Sequence, residues 1–369
     1  MSGDTPRIAI AVSEIEAMLK DRAESLVAEL LPNAVKEGHE MCVGSLHGER
    51  GQSLRVNIGS GAKRGWWKDF SGSDAGDMLK LVSGVLFAGD IKRAIQWSKS
   101  WLGLDDADPA RIQQHRLEAR ARSEDRARAA AAEKEKAAER ARSRWHQAQP
   151  IGGTIVETYL AGRAIDLRRL GRAPGALRFH PALQYGYEGP KLPAMVAMCT
   201  NLAGAHIATH RTWLAPDGSG KAGADVLGYD RRGEPNDPKK VMGSYWGGHI
   251  PVWKGAHRHP LREIPAGTDV YVSEGIEDAL TAACADPGLR IIAAISLGNL
   301  MAIELPPQMG RLIILKQNDA PGSEADQLLA RAIAHHRAAG RRVAWVEVPK
   351  GVKDLNDLAR GALQQGEVA

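Results

Sequence analysis

Three acidic residues lie in the segments that follow three short apolar runs near the C-terminal end of the chain. These residues are Glu274, Asp319 and Asp354. The runs are 269–273, 311–315 and 342–348. Each run has the length and composition of a buried β-strand, and a helical pattern follows each acid. Because the carboxyl ends of parallel strands face one crevice, we expect the three carboxylates to converge.

Converging carboxylates with a lysine nearby are what a site for magnesium and phosphate requires. Lys316 stands within the second of these segments and could hold a phosphate directly. A structural explanation stays open for Glu274 and Asp319, because carboxylates at the start of a helix are favourable caps. Their joint placement at strand ends, with Asp354 in a third such loop, favours a functional site.

The composition describes a globular protein of two or three domains. With 369 residues, 43% of them hydrophobic and 25% charged, the chain can bury proper cores. No apolar run approaches the roughly 20 residues of a membrane-spanning helix, so we expect no membrane association. The cysteines Cys42, Cys199 and Cys284 are scattered and the N-terminus does not fit a signal peptide, which favours the cytoplasm. A formal net charge of +5 is compatible with a polyanionic partner.

The N-terminal region combines a predicted helix with a small predicted sheet. Residues 13–31 have a helical pattern, with Ser13 as the N-cap and Glu16 completing a capping box. Cys42 and His47 stand close together, but a zinc ribbon needs four Cys or His ligands, so we expect no zinc. Two alternating runs and a further helical pattern follow, at 53–58, 65–70 and 76–82.

Charged and aromatic residues alternate around the second of these strands. Lys63, Arg64, Trp66, Trp67 and Lys68 together suit stacking on unpaired bases, and we predict that they bind single-stranded DNA. The alternative is that one tryptophan belongs to the core and the lysines are simply solvated.

Residues 108–144 are dominated by Ala, Arg, Glu, Gln and Lys, with no Gly or Pro after Pro109. Such residues are strong helix formers, and mixed charges three and four positions apart support an exposed helix. We therefore predict a helix that links the N-terminal module to the rest. A nucleic-acid contact through its arginines is the less favoured alternative, because glutamates dilute them.

The central region mixes helix and strand patterns. A short helix is predicted at 156–160, and a hairpin turn at 201–204. Three apolar or alternating runs predict strands, at 176–181, 194–200 and 206–213. The last hundred or so residues then alternate strand and helix, as a chain of βαβ units does.

The acids at the strand ends resemble the Toprim domain, the metal-binding fold shared by bacterial-type primases, type IA and II topoisomerases and some nucleases. Glu274-Gly275 matches the Glu-Gly that follows the family's first strand, and Asp319 matches the second Asp of its Asp-x-Asp element. Gln317 replaces the first Asp, where a primase would place a charged ligand. The replacement offers a neutral oxygen in place of a carboxylate.

The resemblance implies a catalytic site for Mg²⁺ or Mn²⁺. Glu274 would act as acid or base near the reacting oxygen, while Asp319 and Asp354 hold metal. The full set of implied metal ligands, inner and outer, is Glu274, Asp319, Asp354, Asp278 and Asp357.

The preceding regions resemble modules of the same primases. Residues 53–82 are similar to the N-terminal zinc-ribbon domain, here without zinc. Residues 149–263 are similar to the subdomain that precedes Toprim in primases of phages, plasmids and integrated elements, with 177–180 and 210–212 among the markers. In those primases, basic residues of this subdomain face template and nucleoside triphosphates; ordinary solvated loop charge is the alternative. The implied nucleotide- and phosphate-binding residues, with Lys316 added, are Arg211, Lys221, Lys239, Lys240 and Lys316.

We therefore predict an α/β and α+β multidomain protein. Its C-terminal domain should be a Rossmann-like, mostly parallel Toprim sheet, preceded by a mixed α+β subdomain, a long helix and a small β-rich module. The predicted domains are 1–105, 106–148, 149–263 and 264–369.

The primary functional hypothesis is a DNA primase of a mobile element that makes short primers from nucleoside triphosphates on single-stranded DNA. A separate replicative helicase would be its partner, because no Gly-x-x-x-x-Gly-Lys-Ser/Thr loop is present. The second hypothesis is a non-catalytic nucleic-acid-binding replication accessory or regulator, which the replacement at Gln317 favours. A Toprim nuclease ranks last.

Overall fold

The computed structural model describes residues 10–104, 109–230 and 232–366. They divide into an N-terminal unit that ends at Glu133 and a C-terminal unit that begins at Lys134. Among the described residues, no helix combines the length and the apolarity needed to cross a bilayer.

The N-terminal unit is a five-stranded antiparallel meander with helices packed against it. Its core alternates along the strands, since Leu54, Val56 and Trp67 are buried while their neighbours are not. The predicted strands and the helix after them are confirmed, with small shifts at the ends. The elements are α1 (Val12–Asp21), α2 (Ala23–Leu30), β1 (Val35–Glu37), β2 (Glu40–Val43), β3 (Leu54–Asn57), β4 (Trp67–Asp69), β5 (Ala75–Gly76), α3 (Met78–Phe87), α4 (Ile91–Trp101) and α5 (Pro109–His146), the last of which continues into the C-terminal unit.

The predicted first helix is two helices, which meet at Arg22. Its predicted capping box was wrong, because α1 starts after Ala11 and Glu14 accepts the backbone N–H of that residue at 3.2 Å. Glu16 instead accepts two backbone N–H groups at the start of α3, from Met78 at 3.0 Å and from Leu79 at 2.9 Å. The carboxylate therefore fastens one helix to the beginning of another, which sequence spacing alone does not reveal.

The predicted linking helix is confirmed as α5, although its N-terminal boundary of 108 lies outside the described residues. Ion pairs three or four residues apart join some of its charges, for example Arg120 to Glu124 at 2.9 Å. Arg122 and Arg126 both pair with the buried carboxylate of Asp21 in the same unit. Mixed charges on this helix thus serve helix stability and packing.

The first part of the C-terminal unit is a four-stranded antiparallel sheet with the order β6-β7-β8-β9. The three predicted strands and the hairpin turn at 201–204 are confirmed. The strand β9 was not predicted, because its five residues show no alternation of polar and apolar side chains and its pairing with β8 defines it. The elements are α6 (Ile155–Gly162), β6 (Leu177–Gln184), β7 (Lys191–Thr200), β8 (His206–Trp213), α7 (Ala224–Leu227) and β9 (Lys239–Gly243).

The second part of the unit is a five-stranded sheet with the order β10-β12-β11-β13-β14. All neighbouring pairs are parallel except β10 with β12, so the predicted mostly parallel sheet is confirmed. The edge strand β10 precedes the predicted boundary at 264 and yet pairs with this sheet. The elements are β10 (Ile250–Trp253), β11 (Val270–Ser273), α8 (Ile276–Ala285), β12 (Arg290–Ala293), α9 (Leu297–Leu300), β13 (Arg311–Leu315), α10 (Glu324–Ala338), β14 (Arg342–Val346) and α11 (Leu355–Gly366).

Candidate active site

A cavity of about 410 Å³ opens at the carboxyl ends of β11 and β13, beside β8 and β9. We call it the strand-edge cavity. The structure brings six of the predicted site residues to its wall: Glu274, Asp278, Asp354, Asp357, Lys221 and Lys239. Of the three carboxylates expected to converge, Glu274 and Asp354 thus share this cavity, whereas Asp319 does not line it. The role of each residue stays a prediction.

Glu274 follows the last residue of β11 and faces the strand-edge cavity without serving as a helix cap. The N-cap of α8 is Gly275, with no side-chain cap, and the N-cap of α10 is Ser323, not Asp319. Among the described residues, no hydrogen bond to the Glu274 carboxylate is found. Burial raises the pKa of Glu274, and the charge of Asp319 adds to this rise while Lys239 opposes it. Helix capping therefore does not explain why carboxylates stand at positions 274 and 319.

Asp354 does serve as a helix cap. Its Oδ1 accepts the backbone N–H of Asp357 at 2.7 Å, at the start of α11. Asp357 in turn lies 3.5 Å from the guanidinium of Arg360. One oxygen of Asp354 is therefore committed to the fold, and the other is the one that a ligand can use.

Asp278 is almost fully buried behind the cavity wall, and both of its oxygens have partners. Gln317 Nε2 donates to Oδ2 at 3.1 Å, and the backbone N–H of Asn356 donates to Oδ1 at 3.0 Å. Burial and the nearby charge of Asp354 raise the pKa of Asp278 to about 6. The residue that replaces the expected first Asp thus stabilises a neighbouring carboxylate, where an aspartate would repel it.

Asn318 fixes the loop that carries Asp354. Its side-chain amide donates to the carbonyls of Val352 at 2.7 Å and Pro349 at 2.9 Å, and its backbone N–H donates to the carbonyl of Lys353 at 2.8 Å. Sequence reasoning missed this residue. The only indication in the sequence was its amide side chain, which stands between two residues already considered for the site.

A partly buried ion pair forms one side of the cavity. Lys221 Nζ lies 2.8 Å from Glu277 Oε1, and Tyr159 Oη donates to the same oxygen at 2.6 Å. Burial alone would raise the pKa of Glu277, but Lys221 and Tyr159 together lower it to about 2. Lys221 therefore already has an anionic partner, and Glu277 is a site residue that the sequence did not indicate.

Three other cations line the cavity: Arg163, Lys239 and Lys353. Within the described part of the chain, none of them forms an ion pair, and Arg163 Nε is buried without a hydrogen-bond partner. His210 also lines the cavity, and burial lowers its pKa to about 4, so its imidazole is neutral at pH 7. The cavity thus combines these three cations with the acidic residues of the same wall, without a direct ion pair between them in the described part of the chain.

Comparison with known sequences identifies the domain that carries Glu274. The family model described as "Toprim domain" matches residues 269–365. These residues form a Toprim domain. A second family model, a domain of unknown function called DUF7146, matches residues 135–252. No curated protein sequence matches the chain at a significant level.

Solved primase structures are similar to the chain at low identity. The Aquifex aeolicus primase, with zinc-binding and RNA polymerase domains, has 13% identity and a TM-score of 0.39 over 98% of this chain and 84% of that one. A Pseudomonas aeruginosa DNA primase domain has 14% identity and a TM-score of 0.36, covering 59% and 71%. The primase fragment of the bacteriophage T7 primase-helicase has 14% identity and a TM-score of 0.33, covering 56% and 67%. Similarity at this level does not assign a function to the chain.

Two predicted phosphate-binding residues lie on the other face of the sheet that borders the Toprim domain. Arg211 and Lys240 are paired across β8 and β9, and each lies over an aromatic ring, at 5.0 Å from Trp213 and 4.0 Å from Tyr185. Because side chains alternate along a strand, it is His210 and Lys239 that face the strand-edge cavity.

Lys316 and Asp319 also lie outside the strand-edge cavity. Both border a small second pocket in the Toprim domain that shares Glu274 and Gln317 with it. Lys316 Nζ is 3.7 Å from a carboxylate oxygen of Glu347. Asp319 is close enough to Glu274 to influence its pKa, so the two acids remain electrostatically coupled.

The predicted DNA-binding residues of the N-terminal unit have different roles. Arg64 donates to backbone carbonyls, including those of Lys20 and Asp21 at 2.9 Å, and so stabilises the fold. Trp67 is 3% exposed and its indole donates to the carbonyl of Asp77 at 2.9 Å, so the alternative of a core tryptophan is correct for it.

Trp66, Lys68 and Phe70 form an exposed surface that we call the aromatic face. Trp66 is 52% exposed and Phe70 64%, and Lys68 Nζ lies 5.1 Å from the Phe70 ring. Lys63 is also exposed. Three residues of the predicted DNA-binding set, Lys63, Trp66 and Lys68, are therefore available to a ligand, and Phe70 adds a second exposed ring.

The Toprim fold implies a divalent metal. The side chains present fit a metal that they share with a ligand, and not one that they hold alone. Among the described residues, no group of three or more His, Cys, Asp or Glu side chains is arranged to hold an ion. Both oxygens of Asp278 are engaged, whereas Glu274 and one oxygen of Asp354 are free. Mg²⁺ is commonly bound by one or two carboxylates together with substrate phosphates. The donors therefore fit a metal that arrives with a nucleotide.

Proposed function

We propose that the protein is a primase-type nucleotidyltransferase, which synthesises short primers from nucleoside triphosphates on single-stranded DNA. The observation that carries this proposal is the unbonded carboxylate of Glu274 in a cavity that Lys239, Lys353 and Arg163 also line. A carboxylate that can accept a proton and cations that can hold phosphates are the two needs of nucleotidyl transfer.

Each group has a definite part in this proposal. Lys239, Lys353 and Arg163 bind the phosphates of the incoming nucleotide, since none of them forms a direct ion pair among the described residues. Glu274 accepts the proton of the attacking 3′-hydroxyl, and its raised pKa improves its strength as a base. Lys221 is held by Glu277 and orients that wall of the cavity.

A divalent metal would be held by Glu274 and Asp354, together with phosphate oxygens. When bound, it would neutralise phosphate charge and lower the pKa of the hydroxyl. Mg²⁺ and Mn²⁺ both prefer such oxygen donors, so either would serve.

Template binding is proposed for the aromatic face of the N-terminal unit. Aromatic side chains stack on bases of any sequence, and lysines attract the phosphate backbone. We also propose that a separate helicase opens the duplex. Residence in the cytoplasm and origin in a mobile element belong to the same proposal.

A second candidate function is a non-catalytic replication accessory. Its support is the hydrogen bond from Gln317 to Asp278, which fills a metal-ligand position with an amide. Both candidate functions predict binding of single-stranded DNA, but only the first predicts primer synthesis.

Incorporation of labelled nucleotides on single-stranded DNA, with Mg²⁺ or Mn²⁺ and with chelator, separates the two. The primase proposal predicts metal-dependent primers. The accessory proposal predicts salt-sensitive DNA binding with no incorporation above the chelator control. The same reactions, run with supercoiled plasmid, would reveal a nuclease by nicking.

A further inference from the structure

A second cavity of the C-terminal unit, of about 290 Å³, lies beside the edge strand β10 and shares no lining residue with the strand-edge cavity. We call it the β10 pocket. Trp253, Val252 and Met198 supply its apolar wall. Arg172, Lys254 and Arg258 supply three cations, and none of its lining residues is acidic.

The cations of the β10 pocket have no counter-charge in the described part of the chain, where none of the three forms an ion pair. Arg172 is held in place by stacking, with its Cζ 4.2 Å from the centre of the Trp253 ring. The ring itself is fixed, because it is 4% exposed and its Nε1 donates to the carbonyl of Pro287 at 2.7 Å. The N–H groups of a stacked guanidinium remain free for a planar or tetrahedral anion.

The loop that carries Arg258 is held to the sheet. Arg290 donates to the carbonyl of His259, and Gly255 packs so closely that a Cβ there would lie 2.6 Å from the carbonyl oxygen of Gly288. Arg258 has a φ of 55°, in the left-handed region that non-glycine residues seldom adopt. Such a conformation persists where the surroundings determine it, and it is concentrated at binding sites.

We propose that the β10 pocket is a second anion site, which binds a phosphate group. Three cations gathered without an acid repel one another, and a phosphate relieves this repulsion through charge-assisted hydrogen bonds. The volume is at the lower end of the range of about 300–1,000 Å³ for small-molecule sites. It suits a phosphate with its attached sugar, from either a free nucleotide or the backbone of a DNA strand. This site does not depend on the proposed primase activity.

The test measures binding of two phosphate sources to the full chain by calorimetry. The probes are 5′-dAMP and an oligothymidylate without terminal phosphate, with deoxyadenosine as the probe that lacks phosphate. Lys239→Gln serves as the common background, so that binding in the strand-edge cavity is weakened in every sample. Arg172→Gln removes the stacked cation. Arg258→Gly removes the other arginine, and glycine is chosen because the backbone there has a positive φ, which glycine adopts most readily. Lys191→Gln, at an exposed lysine, is the matched control.

We expect each pocket variant to lower the affinity about tenfold or more for at least one phosphate source, as the loss of a hydrogen bond to a charged group does. A loss for 5′-dAMP identifies the free nucleotide as a ligand, and a loss for the oligonucleotide identifies the DNA backbone. Deoxyadenosine binding and the Lys191→Gln control should not change. The proposal is overturned if neither probe binds, or if both pocket variants bind both probes within twofold of the background protein.

Discussion

Gln317 and Asp278 determine the charge of the Toprim site at the scale of single residues. The amide donates to Asp278 at 3.1 Å, and the pKa of Asp278 is raised to about 6. At neutral pH the carboxylate is mostly ionised, and the amide stabilises that form. An aspartate at position 317 would remove the donor and add a second negative charge.

Gln317→Asp should therefore raise the pKa of Asp278 above 6, and each unit of rise corresponds to about 1.4 kcal/mol. A carboxyl group with a raised pKa in the folded state contributes stability below its unfolded pKa of about 3.9, and loses it as pH rises through the folded pKa. The variant should lose more stability than the native chain between pH 4 and pH 7. Denaturant unfolding over this range checks it, with Gln317→Leu as the neutral control. Identical pH profiles for Gln317→Asp and the native chain would contradict the contact.

Lys221→Met should destabilise the fold by about 3–5 kcal/mol, because it leaves the Glu277 carboxylate buried without its cation. The pKa of Glu277, now about 2, should rise. A group whose pKa is lowered in the folded state contributes stability at pH values above its unfolded-state pKa, and this stability is lost as the pH falls toward 2. The variant should therefore lose less stability than the native chain on acidification. Urea unfolding at pH 7 and pH 4 measures both effects.

Lys191→Met is the exposed control for that measurement and should change stability by less than about 0.5 kcal/mol. Adding Glu277→Gln to Lys221→Met should recover part of the loss, because no buried charge then remains unpaired. A double variant as unstable as the single one would contradict the ion-pair explanation.

The sequence could identify residue types at the site but not which faces they occupy. Lys239 and Lys240 are adjacent, and only the first faces the strand-edge cavity. A shift of one residue in strand register exchanges the faces, and register depends on pairing between β8 and β9. Glu277 was missed for a similar reason, since its partner Lys221 lies far away in the sequence.

At the scale of elements, the loops after β13 and β14 act as one assembly that Asn318 holds together. The amide reaches backbone carbonyls on both sides of the turn before Asp354. The position of Asp354 thus depends on a residue of another loop.

Asn318→Ala should release this loop. Losing these largely exposed hydrogen bonds costs about 0.5–1.5 kcal/mol each, and amide exchange in residues 347–354 should accelerate at least tenfold. Hydrogen exchange measured by mass spectrometry checks this, and β6 to β8 in the same sample provide the internal control. Unchanged exchange in 347–354 would show that the loop is held by other contacts.

Elements with strong apolar patterns could be predicted from the sequence. Elements that depend on contacts with residues distant in the sequence could not. The buried strands β11 and β13 were found because their residues are apolar almost throughout. The strand β10 was missed because Pro251 interrupts its pattern, which an edge strand tolerates. Glu16 was assigned to its own helix because its contact with α3 bridges distant residues.

At the scale of the whole molecule, a chain with a formal net charge of +5 carries an exposed aromatic face and two cavities with several cations in their walls. We propose that the face binds single strands and that the cavities bind phosphates. Both features are expected of a protein that acts on nucleic acid. The family match identifies the Toprim domain, and the proposed chemistry depends on the protonation state of Glu274.

Trp66→Ala should weaken binding of single-stranded DNA about 5- to 150-fold, as the loss of about 1–3 kcal/mol of base stacking implies. Fluorescence anisotropy with a labelled oligonucleotide at two salt concentrations measures it. Trp345→Ala, at another partly exposed tryptophan, is the control and should bind like the native chain. Equal affinities for the two variants would exclude the aromatic face as the template site.

The most direct test of the central claim is nucleotide incorporation by Glu274→Gln on single-stranded DNA. Glutamine keeps the size of the side chain and removes its ability to accept a proton. Glu188→Gln changes an exposed glutamate and is the matched control. We predict metal-dependent synthesis by the native chain and by Glu188→Gln, and a rate at least 100-fold lower for Glu274→Gln, since a general base contributes about 10²–10⁴-fold. Synthesis by Glu274→Gln at the native rate would contradict the claim that this carboxylate carries the reaction.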